Sequence, residues 1–382
     1  MSPKFKTLLK VVGVVAFLYV FFVSIQLMGD SFKTWKAFSE SLIEQAQNPF
    51  VGLFIGLLAT SIIQSSSTTT SMVVGFVASG TLPVPIAIPI IMGANIGTSV
   101  TNLIVSMGHI GRRDEFQRAM ACATIHDVFN LISVGLLLPA ELATRRAFDV
   151  GLIEWLSTRT AHLLEGAGGL EFVSPLKAIT KPASHFVQDH LEVLLRGETL
   201  VAIGGLVVSA VLLFIALYAI VKLMRSMVLE RIELFFDKYV GANALLAMGM
   251  GAAITVMVQS SSITTSMIVP MAGAGILTLR HAFPITLGAN VGTTITALLA
   301  SLAAGGTPEQ AEAALAIALA HLYFNLFGIL IVYPVAPIRE IPLRLCRHLG
   351  ATFAKRRWMA IVYVLLVFFV IPGILVLIYR FL

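Results

Sequence analysis

Two stretches, "QSSSTTTS" at 64 to 71 and "QSSSITTS" at 259 to 266, place hydroxyl and amide side chains inside regions that are otherwise apolar. Ser and Thr hydroxyls both donate and accept hydrogen bonds, and Gln adds an amide donor and a carbonyl acceptor. Gln64, Ser65, Ser66 and Ser67, with Gln259, Ser260, Ser261 and Ser262, are therefore candidates to hold a partly protonated oxyanion beside bare sodium ions. A helix broken at such a cluster frees N–H groups for an anion at its N-terminal end and carbonyls for a cation. Taken singly, a Ser-rich run in an apolar helix is more simply a packing feature whose hydroxyls bond back to carbonyls. Its recurrence at matched positions favours binding.

The surroundings are those of a membrane. The 382 residues are 57% hydrophobic and only 12% charged, with a mean hydropathy of +0.91. Runs long enough to cross a hydrocarbon core, about 20 residues, occur at 11 to 28, 199 to 224 and 359 to 379. Regions 50 to 107 and 245 to 302 are interrupted by polar and glycine clusters. The net charge of +6 needs no nucleic acid, because Lys and Arg sit in short loops beside spans, as topology signals do. The first run follows Lys4, Lys6 and Lys10 without a convincing cleavage site and reads as a retained span with a cytoplasmic N-terminus.

One offset, 195, obtained by subtracting 64 from 259, carries the first QSSS cluster onto the second. It also carries "GANIGT" at 93 onto "GANVGT" at 288, and His126 and Asn130 onto His321 and Asn325. From 64 to 106, roughly half the positions are identical between the copies. The loop 109 to 118 has three Arg where its counterpart, 304 to 313, has none, and the preceding turns reverse that asymmetry through Arg280. The expectation is an all-α polytopic membrane protein with two inverted repeats, each with a broken, re-entrant hairpin carrying QSSS. Such repeats put their sites near the midplane, where the halves meet. The first unit spans 1 to 140, an extracytoplasmic loop 141 to 198, the second unit 199 to 335, and a basic cytoplasmic segment with a final span 336 to 382. The connectors from Asp30 and from Arg225 mix Phe and Leu with charges, predicting interfacial helices.

Gly93 to Gly97 and Gly288 to Gly292 also fit close helix packing, whereas the enclosed Asn95 and Asn290 need polar partners. Asp127 lies in an apolar span, where an ionisable residue is by default functional, and its counterpart is Leu322. His126 and His321 read as histidines bonding backbone groups between helices. Ser, His and Asp together raise an intramembrane hydrolase, but that chemistry needs a nucleophile paired with a base and oxyanion donors, which a duplicated hydroxyl cluster does not resemble. The P-loop pattern is missing from the sequence. The chain reads as a carrier and not as an enzyme. Cys122 and Cys346 form no disulfide framework.

The paired QSSS clusters, "GANIGTSVTNLIVS", "EFQRAMACATIHDVFN", "LKAITKP" and "HLYFNLFGILIVYPV" resemble the type II sodium-dependent phosphate cotransporters, in size and layout a bacterial member. The resemblance implies sodium-coupled import of inorganic phosphate across a bacterial inner membrane by alternating access. It assigns phosphate and sodium to the two QSSS segments, an additional sodium to Asp127, and sodium binding to Asn130. Thr69, Asn95, Thr98, Thr265, Asn290, Thr293 and Asn325 complete the candidate sodium ligands. A carrier of sulfate or a dicarboxylate is the main alternative, with an intramembrane enzyme or a non-transporting receptor a more distant one. His109 and Arg112 stand where mammalian members have Gln and Asp. The oligomeric state is left open by the sequence.

Overall fold

The computed structural model describes residues 3–35, 44, 46–166, 173–239, 243–303 and 307–381. Among these, every regular element is helical: α1 (Pro3–Thr34), α2 (Pro49–Ile63), α3 (Ser66–Ala78), α4 (Val84–Gly97), α5 (Ser99–Met107), α6 (Arg113–Phe148), α7 (Leu152–Gly166) and α8 (Val173–Leu194). There follow α9 (Glu198–Tyr239), α10 (Ala244–Val258), α11 (Ser261–Gly273), α12 (Leu279–Ala303), α13 (Pro308–Val332) and α14 (Ala336–Lys355). The chain closes with α15 (Trp358–Leu365), a π-helical turn (Leu366–Val370) and α16 (Ile371–Phe381). Seven stretches among the described residues are long and apolar enough to span a membrane, including Phe5–Phe32, Glu198–Met224 and Trp358–Tyr379, where uninterrupted runs were expected. Exposed Val207, Val211, Phe214 and Ile215 on α9 give it an apolar exterior, which lipid can solvate because a helix satisfies its own backbone.

Local sequence sets the helix starts. Asn48 caps α2 by accepting from Phe50 N, with Pro49 in the first turn, where its missing N–H costs nothing. Thr307 and Gln310 form a reciprocal capping box at the head of α13. The expected breaks are present: α2 stops at Ile63 and α3 restarts at Ser66, while α10 stops at Val258 and α11 restarts at Ser261.

Glycine decides how closely the limbs pack. A Cβ on Gly93 of α4 would lie 1.8 Å from the Leu53 carbonyl oxygen of α2, and one on Gly288 of α12 would lie 1.9 Å from that of Met248 on α10. These backbones touch, so helix packing accounts for the first glycine of each GAN motif.

The leading helices run antiparallel. Lys10 Nζ on α1 donates to the Ser226 carbonyl of α9 at 3.2 Å, and a Cβ on Gly205 of α9 would meet the Ser31 hydroxyl of α1 at 2.1 Å. The offset of 195 turns Lys10 into Gly205 and Ser31 into Ser226, so the two contacts exchange. Elsewhere the units interlock: α3 packs on α12 and α13, α11 on α5 and α6, α14 on α6, and α7 on α13.

One feature departs from the sequence reading. The second connector is no separate helix, since α9 continues unbroken through Arg225 to Tyr239 and at 1.5 Å per residue is about 63 Å long. Residue 140 lies inside α6, which continues to Phe148. Most of the first connector, and residues 304 to 306 of the acidic loop, lie outside the described residues.

Candidate functional site

At each break the chain makes the same sharp bend. Gln64 and Gln259 both have φ of 56°, left-handed geometry that costs a non-glycine residue roughly 1–2 kcal/mol. The next residue is an extended N-cap: the Ser65 hydroxyl accepts from Thr68 N at 3.2 Å, and the Ser260 hydroxyl from Ile263 N at 3.4 Å. A capped helix still has unbonded N–H groups in its first turn, here supplied by residues of the Ser triplets. Ser66, Ser67, Thr68, Thr69 and Thr70 are all buried. The result is two positively polarised helix ends lined with hydroxyls, a chemistry for an oxyanion.

The threonines have spent their protons locally. Thr69 donates to Ser65 O at 3.2 Å, Thr98 to Ala94 O at 3.0 Å and Thr293 to Ala289 O at 3.0 Å. Their lone pairs stay available, so these oxygens can still face a cation. Thr265 reaches further, donating to Asn102 Oδ1 at 2.8 Å, with Ser266 on the same oxygen at 3.3 Å. Asn102 therefore ties the second QSSS helix to the first unit, a role that the repeat pattern hid because its counterpart is Ala297.

The histidines and asparagines form one buried chain across the two units. His126 Nε2 bonds Asn290 Oδ1, and Asn290 Nδ2 donates to Asn130 Oδ1 at 3.0 Å. Asn130 Nδ2 donates to the Asn95 carbonyl at 2.9 Å, while His321 Nε2 lies 3.3 Å from Asn95 Oδ1. Because Asn290 uses its amide N–H and Asn95 donates to Ile91 O at 3.1 Å, both Asn oxygens must accept. Each histidine is then protonated on Nε2, and both Nδ1 atoms are buried without a partner. The pairs His126–Asn290 and His321–Asn95 are mates under the offset. The expected backbone partner for each histidine is thus replaced by an Asn side chain of the opposite unit. The chain is lopsided at Asn325, which donates back to His321 O at 2.9 Å and leaves its Oδ1 bare and buried.

Asp127 is fully buried but does not join that chain. Its Oδ2 accepts the Tyr363 hydroxyl from α15, and its Oδ1 has no partner. Of the candidate sodium ligands, Asp127 and Asn325 are the ones with bare buried oxygens. Sequence reasoning missed Tyr363 because α15 lies outside both repeats.

Two cavities, of about 390 and 420 Å³, lie at the arginine-rich end. Their arginines are largely committed: Arg118 donates to the Gly273 carbonyl at 2.7 Å, and Arg280 and Arg347 share Glu340. That same end joins the basic loop of the first unit to the hairpin tip of the second. At the non-basic tip, Gln310 Nε2 donates to Ser79 O at 3.4 Å.

An all-helical bundle with apolar spans, interlocked units and paired hydroxyl-capped breaks defines a polytopic membrane protein with a duplicated polar centre. The chain belongs to the sodium/phosphate cotransporter family: the profile described as Na+/Pi-cotransporter matches residues 20–151 and 212–371. It is 35% identical over 438 residues to sodium-dependent phosphate transport protein 2A of Ovis aries, covering 96% of this chain and 67% of that protein. It is 34% identical over 458 residues to sodium-dependent phosphate transport protein 2B of Homo sapiens, covering 95% and 64% respectively. No solved structure matches the chain.

Proposed function

We propose that this protein imports inorganic phosphate with sodium by alternating access, in the inner membrane of a bacterium with its N-terminus in the cytoplasm, and that it is not an enzyme. The observation that carries the reading is the pair of helix breaks, each opening on a hydroxyl-lined N-terminus. The relatives' names supply the cargo. Phosphate is held by Gln64 to Ser67 and Gln259 to Ser262. Sodium is held by Asp127, Asn130, Asn325 and the oxygens of Thr69, Asn95, Thr98, Thr265, Asn290 and Thr293. The QSSS clusters contain no Lys or Arg, so sodium, helix ends and hydroxyl donors offset the anion's charge.

The units 1 to 140 and 199 to 335 are inverted, with 141 to 198 between them and 336 to 382 as a basic cytoplasmic segment and final span. The antiparallel α1 and α9 and the grouping of basic segments at one end support that inversion. Labelled phosphate uptake into proteoliposomes tests the function. A sodium gradient should drive accumulation, and replacing sodium with choline should abolish it. Ser66→Ala and Ser261→Ala should each cut uptake sharply with insertion intact. Equal uptake in choline, or displacement of phosphate by equimolar sulfate, would reject the reading.

A further inference from the structure

We propose that Tyr363, on a helix outside both repeats, is a positioning residue for a sodium ion at Asp127. The inference rests on the reading above that Asp127 holds sodium. Asp127 is the carboxylate at the buried middle of α6, and the matched position on α13 is Leu322. Among the described residues no Lys or Arg forms an ion pair with it; its hydrogen-bond donor is the Tyr363 hydroxyl, which lies on Oδ2. A carboxylate removed from water without a countercharge is expensive. One phenolic donor satisfies one oxygen and leaves Oδ1, which is buried and unbonded. A bare monovalent cation supplies what that oxygen lacks.

The donor is itself held in place. The Tyr363 ring packs against Phe353 at 5.4 Å and Phe368 at 6.2 Å between centroids. It sits just before the π-helical turn Leu366–Val370, a type of local widening that recurs at functional sites. With the ring fixed and its hydroxyl on Oδ2, the plane of the carboxylate is fixed too, so Oδ1 is directed before sodium arrives. Among the described residues the second unit has no such arrangement: Tyr323, beside Leu322, pairs its hydroxyl with Thr160 at 2.8 Å.

The test combines current and labelled uptake in the same vesicles for wild type, Asp127→Asn, Tyr363→Phe and the double variant. Asp127→Asn should lower the charge moved per phosphate; an unchanged ratio would reject the sodium assignment to Asp127 and the Tyr363 proposal with it. Tyr363→Phe keeps the ring and should retain the wild-type ratio at saturating sodium. Its half-saturating sodium concentration should rise roughly tenfold or more, the scale of one lost hydrogen bond to a charged group. In the Asp127→Asn background the same change should add nothing. If Asp127→Asn lowers the ratio but Tyr363→Phe leaves half-saturation unchanged, or shifts it equally in both backgrounds, the tyrosine is mere packing.

Discussion

The two QSSS units use nearly the same letters and bond them differently. In the second, Gln259 Nε2 donates to Val256 O at 2.7 Å, Thr296 donates to Gln259 Oε1 at 3.0 Å, and Thr255 bonds Thr264 at 2.9 Å. In the first, Gln64 is exposed, and the hydroxyls of Thr60 and Thr101, the mates of Thr255 and Thr296, are buried without partners. Ser71 and Ser99 are unpartnered as well. Around the second bend Gln259, Thr255, Thr264 and Thr296 bond one another or the backbone, while around the first several hydroxyls are left unpaired. Buried polar groups left unpaired cost free energy, so this imbalance is a feature that cargo, sodium or water can relieve. A carrier that exposes its two halves alternately would exchange the two patterns.

The glycine contacts between the limbs, by contrast, are matched in the two halves, and the largest expected effects test that. Gly93→Val and Gly288→Val would each drive a side chain into a backbone carbonyl less than 2 Å away. Overpacking costs typically 1–3 kcal/mol where side chains can yield, and backbone cannot yield as easily. Both variants should therefore lose most of their monodisperse, folded protein in size-exclusion chromatography. Gly111→Ala, which meets nothing within 4 Å, should behave as wild type. A strong defect at one of the two glycines and none at the other would break the scaffold's equivalence.

Those glycines also mark what the sequence could reveal. Apolar length gave the spans, the offset gave the paired breaks, and the small-residue spacing allowed close packing, because each is a local or repeated signal. Asp127 was visible through its cost in a membrane. What stayed hidden depends on contacts between units or outside them. Asn102 has no repeat mate with a polar side chain, Tyr363 comes from the appended C-terminal span, and His126 and His321 looked like generic interhelical histidines until their partners proved to be Asn290 and Asn95. Linear spacing also could not show that α9 continues through the second connector, since charged amphipathic sequence is compatible with either a bend or a longer helix.

A middle-sized effect is expected at Asn102, where the units are stitched unequally. Asn102→Ala removes the acceptor for Thr265 and Ser266, and leaving buried donors unsatisfied costs about 1–3 kcal/mol. Thr265 keeps a second acceptor, Ser261 O at 2.8 Å, which places the loss toward the lower end. Thermal unfolding should shift down by a few degrees, and Thr265→Val should add little in the Asn102→Ala background because the shared bond is already gone. Full additivity of the two substitutions would show that the bond does not join the units.

The smallest effects on stability, and the sharpest on the comparison, are expected at the two bend glutamines. Gln64→Gly and Gln259→Gly both relieve a left-handed residue of roughly 1–2 kcal/mol and both pay about 0.4–1 kcal/mol for a more flexible unfolded chain. For Gln64 nothing else within the protein changes, since its side chain is exposed, so Gln64→Gly should be slightly more stable than wild type. Gln259→Gly also loses the bonds to Val256 and Thr296, each worth about 0.5–1.5 kcal/mol, and should be neutral to slightly less stable. Transport should follow the opposite logic. A side chain with no hydrogen-bond partner among the described residues gains its role from what it binds, so phosphate uptake by Gln64→Gly should fall although the protein is no less stable. Measuring melting temperature and initial uptake rate on the same preparations decides the matter: full uptake in a stabilised Gln64→Gly protein would leave the glutamine a bend residue in both halves and remove it from the phosphate site.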